Sequence, residues 1–305
     1  MKETKITGLG TALVTPFTDK GKVDLDALHR LLDRQLAAKV DFLVVLGTTG
    51  EPVTMTPREQ QLVRKTIVEH IAGRIPLVLG VGGNCTQEVV ERLGLLREEL
   101  KRDYKAILSV CPYYNKPQQE GLYRHFAAIA EASPVPVILY NVPGRTGVNL
   151  LPETVFRLAA DYPHRIIGVK EASGNMEQIK TIIRGVRGSE FIVLSGDDGL
   201  TAPLMLDGAQ GLISVLSNAL PEATMRLVHQ PSLEQQQALD ELIRALFAEG
   251  NPTGIKALLS LQGAMTDHVR LPLVPASSEL KDKLRKLLEN LGILHGLPIV
   301  RGLPR

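Results

Sequence analysis

Tryptophan is absent from this 305-residue sequence, cysteine occurs only twice, and the formal net charge is just +2. The two cysteines, Cys85 and Cys111, have no paired spacing. That argues against a disulfide framework and against a cysteine-based metal or redox motif. Both are expected to be buried thiols in a reducing compartment, which points to the cytoplasm. A nearly balanced charge leaves no strong field to draw nucleic acid or an anionic membrane. No span approaches the ~20 apolar residues that a bilayer crossing requires. The opening MKETKITGLG lacks the apolar run of a signal peptide. There is neither an internal repeat nor a low-complexity tract.

The composition, 44% hydrophobic and 22% charged, is that of a globular protein. Eight apolar runs read as strands: Thr11–Thr15, Phe42–Leu46, Leu77–Val81, Ala106–Val110, Val137–Tyr140, Ile166–Lys170, Phe191–Leu194 and Leu212–Val215. Helical patterns separate them. Leu25, Leu28, Leu31, Leu32 and Leu36 fall on one helix face. Thr56-Pro57-Arg58-Glu59 is a capping box with proline at the first helical position, and that helix is expected to close at Gly73. Another helix is expected to begin at Asn175.

Strands alternating with helices imply parallel β/α topology, because parallel neighbours need crossovers. Eight strands suffice to close a barrel, and ~250 residues is the usual size of one. The fold class is therefore α/β, a (β/α)8 TIM barrel, with a doubly wound open sheet as its structural rival. After Ser217 the strand signal ends. Pro221–His229, Leu233–Glu249, Thr253–Met265 and Glu279–Leu291 read as helices. The expected organisation is a catalytic barrel over residues 1–220 and a helical C-terminal extension over 221–305. The segment His295–Arg305 reads as a loosely held tail. The charged run Lys281–Lys286 reads as a solvated helix face.

Chemistry in such a barrel collects where strands end. Ile166-Ile167-Gly168-Val169 runs into Lys170, which is either a snorkelling lysine or a nucleophile toward a carbonyl. Gly47-Thr48-Thr49-Gly50-Glu51 follows the second strand. It is either a plain turn or a nest of backbone N–H and hydroxyl donors for a small carboxylate. Tyr113 and Tyr114 follow the fourth strand. Tyr140 ends the fifth, with Arg145 five residues on. A phenol can shuttle protons, and a guanidinium can grip a carboxylate with two bonds. Asp197 and Asp198 follow the seventh strand, where a helix cap competes with a carboxylate pair for a metal. Lysine, tyrosine, arginine and a hydroxyl-rich loop at one barrel end suit Schiff-base aldol chemistry on a 2-oxo acid.

Gly47-Thr48-Thr49-Gly50-Glu51, Tyr113-Tyr114-Asn115, Tyr140-Asn141-Val142-Pro143-Gly144-Arg145-Thr146-Gly147 and Ile167-Gly168-Val169-Lys170-Glu171-Ala172 resemble segments of the dihydrodipicolinate synthase family. So do Ser195-Gly196-Asp197-Asp198, Gly211-Leu212-Ile213-Ser214-Val215 and Arg270-Leu271-Pro272-Leu273. These enzymes are class I pyruvate-dependent aldolases of the N-acetylneuraminate lyase superfamily. The resemblance runs in order along nearly the whole chain. It implies a barrel with a helical extension, usually assembled as a homotetramer, a dimer of dimers.

The same resemblance implies roles for individual residues. Lys170 would form the imine with pyruvate. Tyr140, Thr48 and Tyr114 match the proton-relay triad, with the Tyr114 equivalent supplied by a neighbouring subunit. Thr49 would join Thr48 at the pyruvate carboxylate. Arg145 matches the residue that binds the carboxylate of L-aspartate 4-semialdehyde, and Gly196 and Ile213 match positions lining the pyruvate site. No metal or organic cofactor is implied. The partners implied are those two small molecules and further copies of the chain, with no nucleic acid and no membrane.

Asn84, Glu88 and Tyr113 match residues of an allosteric L-lysine pocket in the family. Pro52, Val53, Pro57 and Gln60 stand where lysine-inhibited members carry Ser, Ala and two His, so weak or absent inhibition is expected. The alternative activity is a sister reaction, such as that of N-acetylneuraminate lyase or a 2-keto-3-deoxy sugar-acid enzyme, but the Gly-Arg-Thr-Gly loop around Arg145 favours the synthase. Two other classes are a catalytically silent barrel and a phosphate-binding barrel isomerase. The intact residue set counts against the first, and the acids at Asp197 and Asp198 count against the second.

Overall fold

A parallel sheet closed into a barrel is buried on both faces, by helices outside and by its own side chains within, so its strands are largely apolar. The computed structural model of the chain describes residues 6–292 and shows eight such strands. They are β1 (Gly8–Ala12), β2 (Phe42–Val45), β3 (Leu77–Gly80), β4 (Ala106–Val110), β5 (Val137–Asn141), β6 (Ile166–Glu171), β7 (Ile192–Ser195) and β8 (Gly211–Ser214). They close into a barrel in sequence order, β1 to β8. Residues 1–5 and 293–305, including the His295–Arg305 segment read above as a tail, lie outside the described residues. Among the described residues, no helix is long and apolar enough to cross a membrane.

The largest departure from the sequence reading is in β1. β1 begins at Gly8 and ends at Ala12, three residues earlier than the expected Thr11–Thr15. Its glycines look like loop residues until their neighbours are considered. A Cβ on Gly10 would lie 2.1 Å from the Phe42 ring, and one on Gly8 would lie 2.2 Å from the Asp41 carboxylate. Glycine lets those two side chains cross the strand. β7 and β8 are each shifted by one residue, to Ile192–Ser195 and Gly211–Ser214.

The chain falls into two compact units. The first holds the described residues to Gly10, Asp41–Val44 and Pro76–Ile213. Its strands β3 to β8 pair in parallel, with Tyr140 opposite Lys170 and Asn141 opposite Glu171 across β5 and β6. Gly168 permits the close approach of β7, since a Cβ there would meet Ile192 at 2.2 Å. The helix Met176–Gly185 begins, as expected, at Asn175, whose side chain accepts from the Gln178 N–H. Cys111 is buried, but Cys85 is exposed, contrary to its expected burial. Cys85 stands at the N-cap of the helix Thr86–Leu95, where the chain enters from a surface loop.

The second unit holds Thr11–Val40, Val45–Ile75 and the described residues from Ser214 on. The capping box at Thr56 forms in full, with Glu59 returning a bond to the Thr56 N–H. Four helices, Pro221–His229, Leu233–Phe247, Thr253–Leu261 and Ser278–Asn290, follow β8. Leu280, Leu284 and Leu288 repeat every four residues and are all buried, forming the inner stripe of the last helix. A buried polar chain runs from Gln35 through Thr11 to Ser217, and each member finds a partner within 3.1 Å. A connected polar network of this kind fixes geometry more strongly than apolar packing alone.

Candidate active site

Lys170 is the penultimate residue of β6 and Tyr140 the penultimate residue of β5. Their register pairing brings Lys170 Nζ to 4.2 Å from the centre of the Tyr140 ring. Both residues are buried, Lys170 retaining 6% exposure. Just past the end of β7, the Gly196 N–H donates to the Glu171 carbonyl at 2.8 Å. A Cβ on Gly196 would meet Lys170 Cε at 3.0 Å and Ala172 Cβ at 2.6 Å. The lysine stem therefore occupies space that only glycine leaves. Ile213, in β8, is fully packed at 1% exposure.

Successive strand residues point to opposite faces, so Asn141 and Glu171 face away from Tyr140 and Lys170. There the Glu171 carboxylate is completely buried. It accepts from Asn141 Nδ2 at 3.2 and 3.0 Å, from the Ser173 N–H at 2.8 Å and from Gln178 Nε2 at 3.1 Å. Burial pushes its carboxyl above the ordinary value, and these donors pull the other way. Burial, reinforced by Glu171, also pushes the Cys111 thiol up, so this cysteine is held protonated and inert. Sequence reading gave Glu171 and Asn141 no role, although both lie inside quoted motifs.

Tyr114 is placed differently. It is 88% exposed, and its backbone adopts a left-handed φ of 76°. Its N–H donates to the Thr146 carbonyl at 3.3 Å, and Lys116 packs against Gly147. The loop carrying Tyr113 and Tyr114 thus rests on the turn Pro143–Thr146 that carries Arg145. Tyr114 is not enclosed by its own chain. Asn84, whose carbonyl accepts from Asn115, and the exposed Glu88 lie at the start of the helix Thr86–Leu95. Asp197 serves as a cap, as expected, accepting from the Gly199 N–H at 2.9 Å.

In the second unit, Thr48–Gly50 forms a single tight turn directly after β2. Thr49 is buried and Thr48 is exposed. Asn251 Nδ2 donates to Thr49 Oγ1 at 2.9 Å, and Thr15 Oγ1 donates to the Gly50 carbonyl at 2.7 Å. Gln60, in the first turn of the helix Pro57–Ile71, reaches back to the preceding turn and donates to the carbonyls of Pro52 and Met55. Lys256, overlooked in the sequence, is fully buried beside Glu51. Its signal was present: one charge inside the apolar run Ile255–Leu259.

A buried lysine at a strand's C-terminal end, against a tyrosine, is the kind of arrangement in which imine chemistry is found. The model of the Dihydrodipicolinate synthetase family matches residues 5–291. The chain belongs to that family. Among dihydrodipicolinate synthetase family relatives, it is 46% identical over 300 residues to the 4-hydroxy-tetrahydrodipicolinate synthase of Phocaeicola vulgatus, across 96% of this chain and 99% of that one. It also resembles the dihydrodipicolinate synthase structure from Thermotoga maritima, with a TM-score of 0.89 and 41% identity over 94% of this chain and 99% of that one. The chloride-inhibited enzyme of Acinetobacter baumannii, solved in complex with pyruvate, gives a TM-score of 0.89 at 38% identity, covering 95% and 100% of the two chains.

Proposed function

We propose that this chain is a lyase of the class I aldolase type. It condenses pyruvate with L-aspartate 4-semialdehyde, the 4-hydroxy-tetrahydrodipicolinate synthase reaction of lysine (diaminopimelate) biosynthesis. The observation that carries this reading is Lys170, buried at the end of β6 with its amine 4.2 Å from the Tyr140 ring centre. Near full-length similarity to named synthases, one of them solved with pyruvate, supports the choice of substrates.

In this reading the Lys170 amine adds to the C2 carbonyl of pyruvate, and loss of one water leaves an imine. The imine draws electrons from C3, which gives up a proton and attacks the aldehyde carbon as an enamine. Tyr140, with Thr48 and Tyr114, moves the protons that enter and leave, a task to which a phenol on the neighbouring strand is suited. Thr48 and Thr49 hold the pyruvate carboxylate, with Gly196 and Ile213 lining the site. Arg145 grips the carboxylate of the aldehyde through a bidentate fork. The covalent imine is itself the electron sink, so the scheme calls for no metal or organic cofactor.

The exposure of Tyr114 favours a relay completed by a second copy of the chain, in a homotetramer built as a dimer of dimers. Gln60, committed to the carbonyls of the preceding turn, and the apolar Val53 favour weak or absent inhibition by L-lysine at Asn84, Glu88 and Tyr113. A submillimolar inhibition constant overturns that part. A cytoplasmic location fits the reducing chemistry of two unpaired thiols.

Incubation with pyruvate and borohydride, followed by intact-mass and peptide analysis, tests the central claim. A reduced pyruvyl adduct on Lys170 is expected. No adduct in a folded sample overturns the assignment.

A further inference from the structure

The turn holding Thr48 and Thr49 is bracketed by two non-glycine residues in left-handed backbone, Leu46 and Glu51, each at a φ of 54°. Such conformations persist only where the surroundings enforce them, and they gather at functional sites. At Glu51 the enforcement comes from the segment after β8. Both carboxylate oxygens of Glu51 are engaged. Oε1 lies 2.5 Å from Lys256 Nζ, and Oε2 accepts from the Arg270 N–H at 3.1 Å. Lys256 has no solvent exposure; it also donates to the His268 carbonyl at 3.0 Å and lies 4.1 Å from the Phe17 ring centre.

The Arg270 guanidinium continues the structure outward. It donates to the Thr54 carbonyl at 2.9 Å and to the Gly21 carbonyl at 2.7 Å, and its Nη2 pairs with Glu59 at 2.5 Å. Asn251 supplies the link nearest the expected substrate. Its amide donates to Thr49 Oγ1, so that hydroxyl acts as acceptor on one side and keeps its own hydrogen for another partner. A hydroxyl polarised in this way is a stronger donor to an anion.

Burying an ammonium and a carboxylate together is an inefficient way to stabilise a fold, because a well-packed apolar pair often does as well or better. A buried pair fixing a strained turn has a different use. We propose that Asn251, Lys256 and Arg270, acting on Thr49 and Glu51, are positioning residues that set the Thr48–Thr49 turn for binding a substrate carboxylate. This rests on the reading above that the turn receives pyruvate. Burial pulls Lys256 down to about 8, against the opposing pull of Glu51, which agrees with an ammonium held in place at a cost.

The experiment measures borohydride trapping at increasing pyruvate concentration, which gives a half-saturation and a maximal rate without the second substrate. The variants are Glu51→Gln/Lys256→Met together, which buries no lone charge, and Asn251→Ala. Each is expected to raise the pyruvate half-saturation at least tenfold while the maximal trapping rate stays within about threefold. Melting temperature is recorded alongside, since a purely structural role would lower it without moving half-saturation. Wild-type half-saturation in either folded variant overturns the proposal. If the double variant does not fold, Asn251→Ala alone decides. Absence of any adduct in the wild-type protein instead overturns the reading of the site itself, so the two failures are distinguishable.

Discussion

Asn141 and Glu171 are paired twice, as register partners on β5 and β6 and through an amide that reaches both carboxylate oxygens at 3.2 and 3.0 Å. This bond sits directly behind Tyr140 and Lys170. It ties together the two strand ends that carry Lys170 and Tyr140.

Replacing Asn141 with alanine removes a donor from a buried carboxylate. A buried acceptor left short of a partner costs about 1–3 kcal/mol, more when charged. We expect Asn141→Ala to lose about 2 kcal/mol in urea unfolding at pH 7. Burial already holds the Glu171 carboxyl above its ordinary value. Protonation therefore relieves the lost bond, and the gap between variant and wild type should narrow as pH falls from 7 to 5. A gap that widens would contradict this account.

Gly196→Ala should disable the nucleophile. The added Cβ would stand 2.6 Å from Ala172 Cβ and 3.0 Å from Lys170 Cε, so the lysine stem must shift. A displacement near 1 Å can cost about 100-fold in rate. Pyruvate–borohydride trapping measures this directly, and a trapping rate within twofold of wild type would show that the lysine had not moved.

Tyr140→Phe keeps the ring beside Lys170 and removes only the hydroxyl. Positioned proton transfer contributes about 10²- to 10⁴-fold. Steady-state kcat should fall within that range, while a trapped adduct still maps to Lys170. Unchanged turnover would remove Tyr140 from the relay.

His125 carries a pH prediction. It is buried, Nδ1 lies 2.8 Å from Thr86 Oγ1, and Nε2 has no hydrogen-bond partner among the described residues. Burial pulls its pKa down to about 4 from 6.5. The folded imidazole thus binds its proton more weakly than the unfolded one. Its contribution is fully present above 6.5 and is lost as pH falls toward 4, by roughly 3 kcal/mol at most. Chemical unfolding of wild type and His125→Gln across that window checks this. The wild type should lose more stability on acidification than the glutamine variant.

Local rules made much of the fold legible. β4 occupies Ala106–Val110 as read, and the Thr56 capping box and the Asn175 cap form as expected, because each depends on residues within a turn of one another. β1 was misplaced because its glycines serve Phe42 and Asp41, which are distant in sequence. In the candidate site, the Lys170–Tyr140 contact was implied by two strand ends. The burial of Glu171 was not, since nothing in Lys170-Glu171-Ala172 distinguishes a buried carboxylate from a solvated one. Asn251 acts on Thr49 across 202 positions and Arg270 on Glu51 across 219, distances over which a single sequence carries no spacing signal.

Those separations also set a schedule. Thr49 and Glu51 leave the ribosome early, and their holders follow some 200 residues later. At synthesis rates of about 5–20 residues per second, that is a wait of roughly 10–40 seconds. A nascent chain can already carry Lys170, Tyr140 and all eight strands while the Thr48–Thr49 turn has Thr15 to hold it but none of Asn251, Lys256 and Arg270. On this view the protein acquires its shape first and its grip on substrate last.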